Sequence, residues 1–259
     1  MGVLIRFRDK LIDKRQADLK IGKPVERTDF LQTFIDARIE DDMPLPDQVI
    51  RAELLIVLIA GANTVASVFQ AFIQYIVMNP DMHKRLTQEI DSAIQKGLIS
   101  KTPRYGEVTQ HLPYYSACLY ESMRLSPPSS TIFPRYVSDP VTDICGKFVP
   151  PGTEVSANAW ILHRDRKLYG EYVEEFIPER WLDPERAKLY KKYNLTFVYG
   201  ARGCLGKDIA LMELFKAPLQ FLRHYDCKIA PGKPAPKFVL KGGVVSWSDI
   251  WIRISERDS

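Results

Sequence analysis

Apolar residues recur at a helical spacing along most of the chain, which predicts a mainly helical protein. The segment DFLQTFIDA (residues 29–37) indicates a short amphipathic helix capped by Thr28 or Asp29. A much longer helix is predicted from MPLPD to Asn79, where Pro80 ends it. At about 1.5 Å per residue this helix is roughly 40 Å long. Four further helices are predicted, at residues 80–97, 114–125, 157–165 and 207–225.

Short strands and turns are predicted between these helices. Residues 129–155 are rich in Pro, Val, Thr and Gly, and KFVPPGTEV (residues 147–155) is interpreted as a hairpin. Residues 177–194 form a meander rich in proline and charge, and VVSWSDIWIRI near the C-terminus alternates as strands do. The pattern therefore predicts one domain of the mainly α class with small β-sheets.

One stretch of the long helix, LLIVLIAGANTVASVFQAFIQYIVM (residues 54–78), is long and apolar enough to span a bilayer. Polar residues interrupt it at a helical spacing: Asn63, Thr64, Ser67, Gln70 and Gln74. This spacing favours a buried central helix over a membrane span.

Composition excludes some functional classes. The net charge is +4, which is too small for the basic face of a nucleic-acid-binding protein. The four cysteines (Cys118, Cys145, Cys204 and Cys227) form no CxxC pair, and no secretory signal precedes them. We therefore expect reduced thiols and an intracellular location.

The segment FVYGARGCLG (residues 197–206) places Cys204 in a glycine-rich turn just before a helix. A helix N-terminus stabilises a thiolate, and glycines allow a flat cofactor to approach the sulfur. Phe197 is placed to shield the sulfur, and Arg202 to pair with an anionic group of the cofactor. The alternative is a buried structural thiol, but the five fixed positions of F-x-x-G-x-R-x-C-x-G make that interpretation the weaker one.

Two other motifs lie on predicted helices. In AGANT, Ala60, Gly61 and Thr64 share one face and leave room for a planar group or a small gas. A simple crossing point between two packed helices explains the same residues equally well. In the second motif, Glu121 and Arg124 share a helix face, and Arg180 in PERW is available to extend the pair into a network.

Together, in this order and spacing, the three motifs resemble the cytochrome P450 superfamily of haem-thiolate monooxygenases. The resemblance covers residues 46–257 nearly continuously and implies the C-terminal half of that fold, with residues 1–45 as a helical remnant. Residues 1–259 are thus expected to form a single, incomplete haem-thiolate domain. CGKFVPPGTEV, CLGKDIALMEL and SDIWIRI are most similar to filamentous-fungal members of the pisatin demethylase kind.

The resemblance implies a role for each matching residue. Cys204 is similar to the cysteine that ligates haem iron, and the loop around it is matched by Phe197, Gly200, Arg202 and Gly206. Arg135 and Arg202 match positions that contact the haem propionates. The structural triad is matched by Glu121, Arg124 and Arg180, and the oxygen-activating stretch by Ala60, Gly61 and Thr64.

One residue departs from the family pattern. Asn63 stands where family members usually have an acid that helps to relay protons to dioxygen. An amide cannot donate and accept a proton in the same way, so water and Thr64 are expected to compensate.

The resemblance further implies a monooxygenase that inserts one atom of O2 into a small organic substrate, in fungal secondary metabolism, with haem b as cofactor. Electrons are expected from a separate NADPH-cytochrome P450 reductase, because the chain has no flavin or nicotinamide motif. Basic residues are available to meet an acidic reductase face: Lys188, Lys191, Lys192 and Lys207. Substrate contacts are expected from Ala62, Asn63, residues 130–133, Ser246 and Trp247. Family members usually reside on the endoplasmic reticulum membrane, although this chain shows no anchor.

Two alternatives remain open at this stage. The first is a truncated, non-catalytic fragment or partner-binding relic that keeps the motifs without enclosing haem. The second is a haem-thiolate isomerase or dehydratase that needs no dioxygen, which the presence of Thr64 disfavours.

Overall fold

The computed structural model describes residues 2–26, 28–138, 142–241 and 243–257. The chain divides into two compact units, Met1–Asn63 and Thr64–Ser259, and the division falls within one long helix. The architecture is mainly helical with small sheets, so the predicted fold class is confirmed. The prediction of a single incomplete domain stays a prediction.

The first unit contains α1 (Gly2–Lys20), α2 (Phe30–Asp36), a 3-10 turn (Glu40–Asp42) and the first part of α3 (Asp47–Val77). Asp29 caps α2, because its side chain accepts a hydrogen bond from the Gln32 amide at 2.9 Å. The core of this unit is made by Ile12, Leu31, Ile50 and Leu54.

The second unit is built around α6 (Pro113–Leu125), ten of whose thirteen residues are buried. Its first amides, those of Tyr114 and Tyr115, donate to the Glu89 carboxylate at 2.8 Å each. The other helices of this unit are α4 (Pro80–Gln95), α5 (Tyr105–His111), α7 (Ala159–Leu162), α8 (Arg166–Tyr169), α9 (Pro184–Tyr193) and α10 (Lys207–His224).

Three of these helices, α5, α8 and α9, were not predicted. Half of the residues of α9 are charged and most are exposed, so the helix carries no continuous apolar stripe. Its start signals were nevertheless present, because Pro184 occupies the first turn and the Asp183 side chain accepts from the Arg186 amide at 2.8 Å.

The last third of α3 lies in the core of the second unit. Phe72 and Ile76 are fully buried there, as the prediction of a central helix requires. Residues 55–66 are half-buried or exposed, and only 17% of the most apolar stretch of α3 is buried. By length and composition alone, α3 could also cross a membrane.

Four antiparallel strand pairs occur within the described residues. The eight strands are β1 (Arg135–Tyr136), β2 (Thr142–Ile144), β3 (Lys147–Val149), β4 (Glu154–Val155), β5 (Tyr225–Ile229), β6 (Lys237–Lys241), β7 (Val244–Ser248) and β8 (Ile252–Glu256). Their pairs are β1 with β4, β2 with β3, β5 with β8, and β6 with β7.

The predicted hairpin at residues 147–155 is wrong, because β3 pairs with β2 and β4 pairs with β1. Pro150 and Pro151 have no amide proton and cannot continue a ladder between the two halves. Cys145 and Gly146 both adopt positive φ, at 55° and 77°, which makes the two-residue turn between β2 and β3.

We predict that Phe72→Ala lowers the free energy of unfolding by about 3–5 kcal/mol, since the ring is fully buried and leaves a cavity. Phe148→Ala is the matched control. Its ring is 72% exposed, and the expected change is about 0.5 kcal/mol or less. Urea unfolding followed by circular dichroism measures both, and equal losses would contradict the assignment of the core.

Candidate functional site

The Cys204 loop joins a 3-10 turn (Gly200–Arg202) to the N-terminus of α10. The Cys204 amide donates to the Phe197 carbonyl at 2.9 Å, and the Gly203 amide to the Gly200 carbonyl at 2.8 Å. Cys204 is exposed, although its backbone is fixed. The loop therefore presents a thiol at the positive end of an 18-residue helix.

The glycines of this loop are required for different reasons, one for its backbone conformation and two for the space around it. Gly200 adopts φ of 75°, a conformation that favours glycine. A Cβ on Gly203 would lie 3.1 Å from the Gly200 carbonyl oxygen, which is too close for easy substitution. A Cβ on Gly206 would lie 3.9 Å from the Cys204 sulfur, so glycine there keeps the space beside the sulfur clear.

Two aromatic residues fasten the segment that precedes Cys204. Phe197 packs against the cluster formed by Val68, Met123 and Leu214. The Tyr199 hydroxyl has one proton to donate, and it lies within hydrogen-bond distance of the Lys192 carbonyl and 3.0 Å from the Lys191 carbonyl, which ties the loop to the end of α9. Sequence reasoning missed Tyr199, because nothing in the motif marks that position.

A cavity of about 330 Å³ lies beside this segment. Arg135 lines it, together with Phe133, Val155, Val198 and Tyr199. The structure thus brings Arg135 to one cavity with Val198 and Tyr199, which precede the Cys204 turn, whereas Cys204 itself does not line this cavity. Arg202 is exposed in the same loop and is not among the residues that line the cavity.

Glu121 and Arg124 form an ion pair that is fully buried. Arg124 donates to both carboxylate oxygens of Glu121, from Nε at 2.8 Å and from Nη2 at 2.7 Å. Its remaining donors reach backbone carbonyls of His163 (2.9 Å), Val173 (2.7 Å) and Glu175 (3.1 Å). All five N–H groups of the guanidinium are therefore used.

The Glu121 carboxylate collects further donors from the PERW segment. Trp181 Nε1 donates to it at 2.8 Å, and the Ile177 amide donates at 3.0 Å. Arg180 Nε lies 3.5 Å from Oε1, and its Nη atoms donate to the carbonyls of Tyr169 and Tyr172. Glu121, Arg124 and Arg180 are thus brought together. Sequence reasoning missed Trp181, although it follows Arg180 directly.

His163 is a second buried polar residue that sequence reasoning missed. It is fully buried, and its Nδ1 lies 3.1 Å from the Arg124 carbonyl oxygen. Its Nε2 accepts from the Leu195 amide at 2.8 Å. Burial lowers the pKa of this imidazole to about 4, and the charges of Arg124 and Arg164 contribute in the same direction.

The AGANT motif lies in an uninterrupted part of α3. Gly61, Ala62 and Asn63 are exposed in the first unit, and a Cβ on Gly61 would meet nothing within 4 Å. Thr64 is half-buried in the second unit. One turn further along the same helix, the Ser67 hydroxyl donates to the Val245 carbonyl.

The two segments expected to contact substrate lie close together. Ser129 forms an isolated bridge with Val244, and the Val245 amide donates to the Pro128 carbonyl at 2.8 Å. Trp247 Nε1 donates to the Ser126 hydroxyl at 3.3 Å. Residues 126–129, directly before the expected segment 130–133, therefore pack against β7. The contact of β7 with Ser67 also places it near the Thr64 end of the second unit.

We predict that Glu121→Gln lowers the free energy of unfolding by about 3–5 kcal/mol, because it leaves the buried Arg124 charge uncompensated. Glu179→Gln is the matched control: Glu179 pairs with Arg85 at 2.6 Å, but the two side chains are 45% and 50% exposed. Its expected cost is below about 1 kcal/mol. Urea unfolding measures both losses. A loss for Glu121→Gln as small as that of the control would contradict the prediction that burial makes the Glu121–Arg124 pair hard to break.

We also predict a pH dependence of stability that originates at His163. The unfolded imidazole takes up a proton near its ordinary pKa of 6.5, whereas the folded one resists protonation until about pH 4. The contribution of His163 to the free energy of unfolding should therefore be complete above about pH 6.5 and fall by roughly 3 kcal/mol as the pH drops to about 4. The salt-bridged Asp9 and Asp29, whose pKa values are lowered from 3.8, titrate below this window.

His163→Asn is the control for this pH effect, because it cannot titrate. Urea unfolding is measured between about pH 7 and about pH 4.5. The free energy of unfolding of wild type should exceed that of the variant by an amount that shrinks as the pH falls. A difference independent of pH would contradict the assignment.

Comparison with known proteins identifies the family. The family model described as cytochrome P450 matches residues 1–248. Quiannulatic acid synthase of Emericella variicolor is 33% identical over all of this chain and 49% of its own length. Cytochrome P450 monooxygenase cicH of Emericella nidulans is 36% identical over 80% of this chain and 41% of its own length. A cytochrome P450 monooxygenase of Aspergillus terreus is 34% identical over 76% of this chain and 40% of its own length.

The chain thus spans half or less of the length of these curated relatives. The finer resemblance to pisatin demethylases stays a prediction. The family match covers nearly the whole chain, including the Cys204 loop, the buried Glu121–Arg124 pair and the AGANT helix. The chain therefore belongs to the cytochrome P450 family.

Proposed function

We propose that this chain holds haem b through the Cys204 thiolate and takes part in a monooxygenase reaction on a small organic substrate. The observation that carries the proposal is the exposed Cys204 thiol at the start of α10, on a backbone fixed by the Phe197 carbonyl. A residue kept for packing would be buried, as Cys118 and Cys227 are.

The donor set suits haem rather than a bare metal ion. Among the described residues, no group of three or more His, Cys, Asp or Glu side chains could hold an ion. Haem supplies four of the iron's ligands itself, so a single axial thiolate from the protein is enough. A thiolate-bound haem supplies an electron-rich iron that favours O–O cleavage.

Other residues of the chain are assigned to hold and orient this cofactor. Arg135 lines the cavity beside the Cys204 loop and is the first candidate to pair with a propionate; Arg202 is the second. Phe197 is assigned to shield the sulfur, and its ring packs against Met123 and Leu214. Gly200 is assigned to the bend of the loop, and Gly206 to the space beside the sulfur. Gly61 is assigned to the cofactor on the family pattern, and a Cβ at this position would meet nothing within 4 Å.

Proton handling is assigned to Thr64 and Asn63. The Thr64 hydroxyl can both donate and accept, so it can hold a proton and pass it to a neighbouring water. The Asn63 amide does not ionise, so it orients water rather than relaying a proton. Substrate contacts are assigned to Ala62, Asn63, residues 130–133, Ser246 and Trp247, of which the last three groups belong to neighbouring segments.

Electrons are proposed to come from a separate NADPH-cytochrome P450 reductase. Lys188, Lys191 and Lys192 are exposed on α9, and Lys207 is exposed directly after the Cys204 loop. Tyr199 ties the end of α9 to that loop, which gathers these charges around the cysteine. An acidic partner face would meet them there. The family setting also leads us to propose residence at the endoplasmic reticulum membrane and, from the fungal relatives, a substrate of secondary metabolism.

The test compares Cys204→Ser with Cys145→Ser after reconstitution with haem, since both cysteines are exposed and only one lies in the loop. We expect the reduced, carbon-monoxide-treated wild type and Cys145→Ser to show the difference band of thiolate ligation. Cys204→Ser should lose that band.

The same measurement distinguishes the proposed function from the alternative of a non-catalytic, partner-binding fragment. A folded wild-type chain that takes up no haem would favour that alternative. Retention of the thiolate band in Cys204→Ser would instead show that another residue is the ligand.

A further inference from the structure

The end of α6 is capped by side chains from elsewhere in the second unit. The last carbonyls of a helix have no partner within the helix. At this end, the Leu125 carbonyl accepts from Arg164 Nη2 at 2.9 Å, and the Met123 carbonyl lies 3.5 Å from the Thr196 hydroxyl. The carbonyl between them, that of Arg124, is the partner of His163. Thr196 belongs to the segment that leads to Cys204, so this helix end and the cysteine loop meet.

His163 joins the same two elements through its ring. The Leu195 amide can only donate, so Nε2 of His163 must accept. Nδ1 therefore carries the proton and donates to the Arg124 carbonyl. Only the neutral imidazole in this one tautomer can make both hydrogen bonds.

We propose that His163 is a positioning residue that fixes the start of the cysteine loop against the end of α6 through its hydrogen bond to the Leu195 amide. The inference rests on the proposed function in one respect, since the loop matters to catalysis only if Cys204 ligates haem. The positioning role itself needs no cofactor and can be measured without one.

The bond to Leu195 is well placed to act on Cys204. Leu195 opens the short 3-10 turn Leu195–Phe197, and the Phe197 carbonyl accepts the Cys204 amide. A continuous series of hydrogen bonds and one short turn therefore runs from the Arg124 carbonyl through His163 to Cys204. Loss of the His163–Leu195 bond would free the first residue of that turn while Phe197 stayed packed.

The charges around the His163 ring keep the imidazole neutral, which is the form that the positioning role requires. Arg124 on α6 and the adjacent Arg164 are the charged groups that act on the imidazole, and both disfavour a second proton. Glu121 neutralises Arg124 from its far side through the bidentate pair. If the ring became protonated, an N–H would face the Leu195 N–H and the hydrogen bond would be lost.

Two near-isosteric variants separate the two hydrogen bonds. In His163→Gln the side-chain oxygen can take the place of Nε2 and accept from Leu195. In His163→Asn the side-chain amide can take the place of Nδ1 and donate to Arg124, but nothing accepts from Leu195. Both variants are polar and close in size, so a general packing defect would affect them alike.

The readout is hydrogen exchange of backbone amides in the full 259-residue chain without haem. We expect His163→Asn to lower protection of residues 195–204 by about tenfold, as the loss of a partly buried hydrogen bond implies. Protection of α6 should stay within about threefold of wild type. His163→Gln should keep protection of residues 195–204 within about threefold of wild type.

Equal loss of protection in the two variants, or a loss spread evenly over α6 and the loop, would overturn the proposal. A pH series adds a second criterion. After correction for intrinsic exchange rates, protection of residues 195–204 in wild type should fall as the pH approaches about 4, and His163→Gln should show no such fall. Protection of residues 195–204 in wild type that does not change over that pH range would also contradict the proposal.

Haem reconstitution of the same variants distinguishes failure of this inference from failure of the proposed function. If the wild type shows the thiolate band, His163→Asn should show a smaller share of it than His163→Gln. If no variant binds haem while the exchange results hold, the proposed function fails and the positioning role stands.

Discussion

The buried pair between Glu121 and Arg124 is the interaction on which the second unit depends. Two opposite charges with no exposure to water are costly unless every donor and acceptor is matched. Here the guanidinium uses all five N–H groups, and the carboxylate receives Arg124, Trp181 and the Ile177 amide. Segments as far apart as α7 and the PERW turn are therefore held to one side of α6 by the need to satisfy a single ion pair.

The same principle explains why the candidate site forms beside α6. The helix ends in carbonyls that need partners, and those partners are His163, Arg164 and Thr196. Thr196 lies eight residues before Cys204, and His163 reaches the residue before Thr196. A thiol on an exposed turn thereby acquires a backbone fixed to the most buried helix of the protein.

Sequence patterns predicted the long helices well, for identifiable physical reasons. Apolar periodicity is strong where a helix buries one face, as in α4, and glycine spacing marks the Cys204 turn directly. The pattern failed at strand pairing: β3 joins β2 rather than β4, because Cys145 and Gly146 make the turn between β2 and β3 and the proline pair after β3 cannot continue a ladder. His163 and Tyr199 were missed since their roles depend on backbone groups, which carry no sequence signal.

The network around Glu121 and Arg124 also has a consequence for the order of folding. Its outer partners lie 39 to 60 positions further along the chain, from the His163 carbonyl to the Trp181 indole. During synthesis, α6 leaves the ribosome with its two charges able to satisfy only each other. Contacts of such long sequence separation form slowly. The Glu121–Arg124 pair can therefore gain all its partners only after the PERW turn has emerged, just before the cysteine loop follows it along the chain.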